Sequence, residues 1–519
     1  MNEPEAVDAR RPADRVELAL FGLVAATVLF FLFFRLGSVP AGSFSDEVSA
    51  GFNARCIDRT LRDQYGTLLP LFFRALEDYK SPLFIYAVAL TEGVLGPSPI
   101  AVRLPSALYA IGTAVLLFFL LRSLTRSSVL ARWMALLSLL VPSLFFYARS
   151  GFSEASSLPF WLVLALWMLR RFERIPSHRR AAIAGACIGL VTYSYTTARL
   201  LAPLLLAAAC LSFWLAPRFR RFVAAMLAGG AALGAPMAVF MLVHPGAVDK
   251  RFREAVSVWR DHPTTRVAVE RIVGTYFQHL ASLDFLFRTG QHLDWVNAGE
   301  GLLPLWLFAP VVLGIASLWR RRKDAYFRVL SALWLISPIP VALTWENLPH
   351  TTRYLHFAIV ALVVGALALS DAIAAVRPSR GTLALMLVAA LGEGALSLRT
   401  YFVDYATRFA NEGGYDDDMG NALQLAFARR KTGEPVYLPG SFFDISGVRI
   451  AFYADLDPVA YRTKKLDDVG IHASGWHRPE KGAIVVEPGR SAPSGGARLL
   501  GTASRPNGTV VWSVYRVPS

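Results

Sequence analysis

GSFSDEVSAGFNARCIDRTLRDQYGTLLPLFFRALEDYKSPL, residues 42–83, follows directly on the first long apolar run and holds two acidic pairs, Asp46-Glu47 and Glu77-Asp78, the second followed by Lys80 and Pro82. Between the pairs, Val48, Phe52, Cys56 or Ile57, and Leu61 recur at helical spacing, while Arg55, Asp58, Arg59, Arg62 and Asp63 fill the other side. This pattern predicts an amphipathic helix lying along a membrane surface rather than across it. Both acidic pairs then stand at the lipid–water boundary, where a lipid-borne and a water-borne substrate can meet.

Working outward, the chain of 519 residues is 54% hydrophobic with a mean hydropathy of +0.42, and its apolar residues come in long runs. That composition excludes a soluble enzyme and predicts a polytopic membrane protein. The net charge of +15 does not imply nucleic acid, because the Lys and Arg sit in short clusters between apolar runs, where topology alone places them. Three cysteines, two of them inside apolar runs, make no disulfide framework. The first run, about 16–34, lacks a small-residue cleavage site and reads as a retained span.

Candidate spans fall at about 16–36, 104–121, 130–147, 156–170, 182–194, 199–216, 222–243, 301–318, 326–343, 354–374 and 382–398. A further run, 82–95, is ambiguous at fourteen residues, and charge placement makes it a re-entrant or surface-lying helix. If it does not cross, the arginine clusters at 10–15, 122–132, 170–180, 218–221, 320–323 and 377–380 all fall on the side of the N-terminus. The positive-inside rule then gives eleven spans, with the N-terminus cytoplasmic and the C-terminus outside. After residue 400 the composition becomes that of a small soluble α/β module. Short β-rich runs begin at Pro435, Val448, Ala483 and Thr509, and a helix is expected over 423–430.

Asp46 and Glu47 have two readings. Behind a Ser45 N-cap they are ordinary first-turn acids favoured by the helix dipole. Alternatively, one is a general base for an acceptor hydroxyl, kept ionised by the same helix terminus. Glu77 and Asp78 make either a charged turn or a second half of the same site. Arg149, Arg199 and Arg353, with His350 beside the last, are basic residues at outer span ends, against the inside bias. Each reads as a snorkelling anchor or as a ligand for a lipid phosphate, and Glu154 is an outer acid near Arg149. Asp416-Asp417-Asp418 reads as a solvated acidic loop.

Around these residues the chain resembles the GT-C class of polytopic glycosyltransferases. More narrowly, it resembles the protein O-mannosyltransferase and lipid A aminoarabinose transferase group, glycosyltransferase family 39 and its bacterial relatives. The matching elements are Asp46-Glu47 after the first span, Asp78-Tyr-Lys80-Ser-Pro82-Leu83, Arg103-Leu-Pro-Ser-Ala107, Tyr147-Ala-Arg149, Tyr193-Ser-Tyr195-Thr-Thr-Ala-Arg199 and His350-Thr-Thr-Arg353-Tyr354. Ser81 departs from the family's usual first proline.

The resemblance implies an all-α GT-C domain over 1–399, with catalysis in the outer loop 37–103, and an extracytoplasmic α/β domain over 400–519. It implies Asp46 as base, Glu47 and Asp78 as further catalytic acids, and Glu77 and Glu154 as acceptor or supporting groups. Lys80, Arg149, Arg199, His350 and Arg353 are expected on the donor phosphate. A divalent cation, if present, would be held by Asp46 and Asp78. The implied partners are a polyprenyl-phosphate-linked sugar, the lipid bilayer and an extracytoplasmic acceptor, and the implied location is a bacterial inner membrane. Two rivals stay open: a flippase for a lipid-linked saccharide, and a polysaccharide ligase using the late outer loop 244–300 with Arg251, Arg253, Arg260 and His262.

Overall fold

The computed structural model describes residues 12–75, 78–125, 127–151, 154–246, 252–288, 300–443, 447–474, 479–491 and 496–518. Glu77, Arg126 and Arg251 lie outside them. Each of the eleven apolar runs is helical, and the 130–147 run is two helices, Ser128–Ser138 and Pro142–Ala148, bent by 60°. Six helices among the described residues are long and apolar enough to cross a membrane, or seven if the bent pair makes one span. The expected count of eleven spans is therefore not confirmed. Helices such as Ala198–Trp214 and Leu305–Arg320 are apolar but short. The chain is a multi-pass membrane protein.

The bundle is organised around the helix His356–Val376, whose residues 356–368 are buried without interruption. A helix apolar on all sides has no solvent face to offer and so takes the centre. Close approach elsewhere depends on small residues. A Cβ on Gly185 would lie 1.9 Å from the Met226 carbonyl oxygen, so the helices His178–Val191 and Arg220–Val243 pack backbone to backbone. The last long helix runs from Arg380 to Asn411, passing residue 400 without a break.

The C-terminal module carries a five-stranded mixed sheet. Its strand order is Ile471–Ala473, Val436–Leu438, Ile484–Pro488, Val510–Arg516 and Arg498–Ser504. The first three strands are parallel and the last two antiparallel. The helix Asp417–Arg429 covers the sheet. Val448–Tyr453, expected as a strand, is a helix instead. Its apolar residues pack on the first loop, and that tertiary contact overrides the β-rich composition. The acidic triplet is also not free in solvent: Asp416 pairs with Arg449 at 2.8 Å and Asp418 with Arg505 at 2.8 Å.

The amphipathic stretch forms the helix Ser45–Thr60, followed by Leu61 at φ +56°. Its polar face meets water only at its C-terminal end, where Asp58 and Arg59 are exposed. Every residue from Glu47 to Ile57 is buried, because the charged side faces the C-terminal module. Arg55 donates to the Ala451 and Phe452 carbonyls at 3.3 and 3.0 Å and pairs with Asp455 at 3.2 Å. On the other side it packs on the helix Pro82–Leu95, which does not extend across the bundle. Val48, Phe52 and Phe84 share one core with Leu423, Ile450, Ile484 and Val514. Each such buried side chain contributes roughly 1.5–3 kcal/mol, enough to bind the two segments into one extramembrane body.

The joint between them is a backbone contact. Gly42 bridges Tyr415, and the Tyr415 N–H donates to the Ala41 carbonyl at 3.0 Å. Gly42 has φ +75°, and a Cβ there would lie 2.5 Å from the Tyr415 carbonyl oxygen. Gly42→Ala is expected to cost about 1–2 kcal/mol in backbone strain alone, with further loss as the bridge separates. Limited proteolysis should then release the C-terminal module faster than in wild type, with a lower Tm in detergent.

Candidate active site

The first turn of the helix Ser45–Thr60 assigns its two acids different tasks. Phe44 is the N-cap, not Ser45. Glu47 folds back so that its Oε2 accepts the Phe44 N–H at 2.9 Å. The same carboxylate accepts the Gly151 N–H at 2.7 Å and is held by Arg103, Nε to Oε1 at 2.8 Å and Nη2 to Oε2 at 3.1 Å. Arg103 is fully buried and also donates to the carbonyls of Leu36, Pro40 and Gly42. Glu47 is thus consumed in fixing the loop. Asp46, one residue earlier, points the other way and remains 24% exposed on its side chain.

Asp46 opens into a cavity of about 530 Å³. Asp78 and Lys80 come from the second strand of the hairpin Phe73–Ala75/Asp78–Lys80, Glu154 from the turn before the helix Leu158–Arg174, Arg199 from the first turn of the helix Ala198–Trp214, and His350 and Arg353 from the segment before the central helix. Lys80 Nζ is 3.1 Å from Asp46 and 4.0 Å from Asp78. Arg199 donates to the Tyr79 carbonyl, which holds the hairpin against the bundle. Glu154 accepts the Ser81 N–H at 3.1 Å, at the strand's end. The hairpin is therefore clamped from both sides, and its two ionisable side chains face one space.

Burial pushes the Glu154 carboxyl up to about 7, with Asp46 adding to the rise and Lys80 opposing it. Burial, helped by Arg353, holds the His350 imidazole well below its ordinary range, so it lines the cavity as a neutral group. With Glu154 protonated, the cavity carries formal charges from three carboxylates, Asp46, Asp78 and Glu346, against three cations, Lys80, Arg199 and Arg353.

Two expected residues lie elsewhere. Arg149 is fully buried and does not line the cavity. Its guanidinium donates to the Phe31 and Leu32 carbonyls at 2.7 Å, to Phe34 at 2.7 Å and to Val39 at 3.2 Å, capping the C-terminal end of the first helix. It lies beneath the rings of Tyr401 and Phe402. Glu47 is committed as described. Glu346, which sequence reasoning missed, lines the cavity and takes Arg353 Nη2 at 2.8 Å. Its only sequence signal is an acid three residues before Pro349 in a short outer loop.

The residues do not fit a divalent cation at Asp46 and Asp78. The Lys80 ammonium already lies beside both carboxylates, and a lysine contributes no ligand. Among the described residues no three His, Cys, Asp or Glu side chains gather closely enough to hold a metal ion.

The helical bundle, the packed first loop and the small C-terminal module together define a GT-C fold. No family model matches the chain, and no curated protein matches its sequence. Among solved structures, ArnT from Cupriavidus metallidurans in the apo state is similar over 97% of this chain and 98% of its own, at TM-score 0.56 and 13% identity. The same protein bound to undecaprenyl phosphate matches over 96% and 97%, at TM-score 0.56 and 13% identity. The archaeal oligosaccharyltransferase AglB from Archaeoglobus fulgidus, in complex with an inhibitory peptide and a dolichol-phosphate, matches over 91% of this chain and 69% of its own, at TM-score 0.52 and 14% identity. At such identities the likeness is one of fold.

The Arg103–Glu47 pair generates a prediction about stability. Removing one partner leaves a buried charge without its counterion, so Glu47→Gln is expected to destabilise by about 3–5 kcal/mol, read as a lowered Tm in detergent. Asp46→Asn, which removes only the partly exposed ion pair with Lys80, should cost no more than about 1 kcal/mol.

Proposed function

We propose that the protein is an inverting glycosyltransferase that moves a sugar from a polyprenyl-phosphate donor to the hydroxyl of an extracytoplasmic acceptor. The observation that carries this reading is the convergence of Asp46, Asp78, Lys80, Glu154, Arg199, His350 and Arg353, from separate parts of the chain, on one cavity at the end of the bundle. The GT-C neighbours, one bound to undecaprenyl phosphate and another in complex with dolichol-phosphate, agree with it.

In this mechanism the donor phosphate takes its place among Lys80, Arg199 and Arg353, which carry donors suited to phosphate oxygens. Lys80, at 3.1 Å from Asp46 in the free protein, turns toward the phosphate and so frees the Asp46 carboxylate to accept a proton. The acceptor oxygen attacks the anomeric carbon from the face opposite the phosphate. Its proton passes to Asp46, the bond from the anomeric carbon to the phosphate oxygen breaks, and both electrons of that bond leave with the polyprenyl phosphate. Since positive charge develops on the sugar and negative charge on the leaving oxygen, stabilisation by fixed cations matters more than protonation of the leaving group.

Asp46→Asn is expected to abolish transfer at wild-type abundance. The measurement is mass spectrometry of envelope glycans, glycolipids and glycoproteins from cells expressing either form. One sugar missing from one acceptor, with its polyprenyl-phosphate form accumulating, is the expected result; an unchanged profile removes Asp46 as base.

The Glu154 carboxyl adds a pH dependence. Its raised value means that it is neutral below about 7 and gains a negative charge as pH rises through that value. Ionisation places a fourth carboxylate in a cavity that must accept an anionic donor. The donor KM is therefore expected to rise as pH increases through about 7, and Glu154→Gln, neutral throughout, should flatten that rise while leaving kcat nearer to wild type.

A further inference from the structure

At the end of the bundle away from Asp46, a second cavity of about 560 Å³ opens between the helices Pro99–Thr125 and Leu158–Arg174. It lies far from the candidate active site: Arg103 and Arg122 share one helix, and nineteen residues span about 28 Å. Arg122, Arg170, Arg171 and Arg174 line it, with the Ser123 and Ser128 side chains at its edge. Its floor is Phe119 and Trp167, whose rings stack at 5.7 Å.

The charge in this cavity is not balanced by the protein. Some arginines at this end are matched with acids: Arg132 with Glu17 at 2.7 Å, and Arg320 and Arg321 with Asp371. Here a single acid, Glu173, is engaged by Arg170, and among the described residues Arg122, Arg171 and Arg174 have no carboxylate partner. Positive-inside topology explains the presence of arginines at helix ends; it does not explain three unneutralised guanidiniums gathered in one concavity. Arg171 is shared with an adjoining cavity of about 430 Å³ that also contains Arg179 and Arg180, which lengthens the basic strip.

The layering identifies the ligand class. Phe119 and Trp167 precede Arg122, Arg170 and Arg171 by about one helical turn and Arg174 by about two, so the aromatic layer lies roughly 5 to 10 Å nearer the membrane centre than the guanidiniums. Charge at the headgroup level and an apolar shelf one turn deeper match the two parts of a phospholipid. A soluble phosphate compound would use only the first.

We propose that Arg122, Arg170, Arg171 and Arg174, above Phe119 and Trp167, form a binding site for an acidic phospholipid, with its headgroup phosphate on the guanidiniums and its acyl chains along the aromatic pair. The site is independent of the proposed glycosyl transfer and rests on the candidate span Pro99–Thr125 and on the helix Leu158–Arg174 packed beside it.

The test is native mass spectrometry of the full-length protein in detergent, titrated with phosphatidylglycerol, phosphatidylcholine or inorganic phosphate. Wild type is expected to retain phosphatidylglycerol in preference to phosphatidylcholine. The variant R122Q/R171Q/R174Q should need at least about tenfold more phosphatidylglycerol, since each basic group near the surface is worth about 1 kcal/mol. The charge-matched control R218Q/R220Q/R221Q, changed outside the cavity, should behave as wild type. Should the triple variant not fold, the exposed single substitution R174Q is expected to raise the requirement about fivefold. Equal losses in pocket and control variants, no preference for phosphatidylglycerol over phosphatidylcholine, or full displacement by inorganic phosphate would each overturn the proposal.

Discussion

One buried guanidinium holds the Asp46 end of this molecule together. Arg103 sits where the chain leaves the first helix, turns through residues 36–42 and enters the helix Ser45–Thr60, and it donates to three carbonyls along that path as well as to Glu47. A turn of this kind leaves carbonyl groups without backbone partners, and in a water-poor setting each is costly unless a side chain serves it. Arginine can serve several at once because its five N–H donors fan out in a plane. Arg149 repeats the device at the carbonyls ending the first helix. Two guanidiniums thus take over the work that water does for a soluble loop. With the path fixed, the direction of Asp46 is fixed too.

The consequence for the cavity is a division of labour between neighbours in sequence. Glu47 faces inward and stabilises the frame, while Asp46 faces the open space beside Lys80. Placing a lysine between two carboxylates holds all three in a defined arrangement without a metal ion. It also leaves a cation that can change partners when an anion arrives. The hairpin bearing Asp78 and Lys80 is short, and its position depends on Arg199 and Glu154, which belong to other helices. The cavity is therefore assembled by tertiary contacts more than by any one motif.

That explains what could be read from the residues alone. The membrane-spanning class, the helix Ser45–Thr60, the small C-terminal α/β module and the gathering of Asp46, Asp78, Lys80, Arg199 and Arg353 follow from periodicity, charge placement and family resemblance. Which of Asp46 and Glu47 is structural does not, because both suit a helix N-terminus and only the distant Arg103 and Gly151 N–H separate them. Arg149 and Arg199 look alike in sequence, each at an outer helix end, yet one caps carbonyls and the other borders the cavity. Glu346 carries no periodic or paired signal. The charged face of the amphipathic helix reads as solvated until its real neighbour, the helix Val448–Tyr453 some four hundred positions later, is known.

The bridge between Gly42 and Tyr415 sets an order of events in the making of the protein. The first loop leaves the ribosome early, but the surface that covers it is synthesised about 370 residues later, roughly 20 to 75 seconds at usual elongation rates. Through that interval the apolar side chains of the loop, Phe52 and Val48 among them, have no permanent cover. Removing residues 415–518 would take away the surface that covers Val48 and Phe52 and leave the apolar side of the first loop bare, so the two ends of the described chain are stable only together.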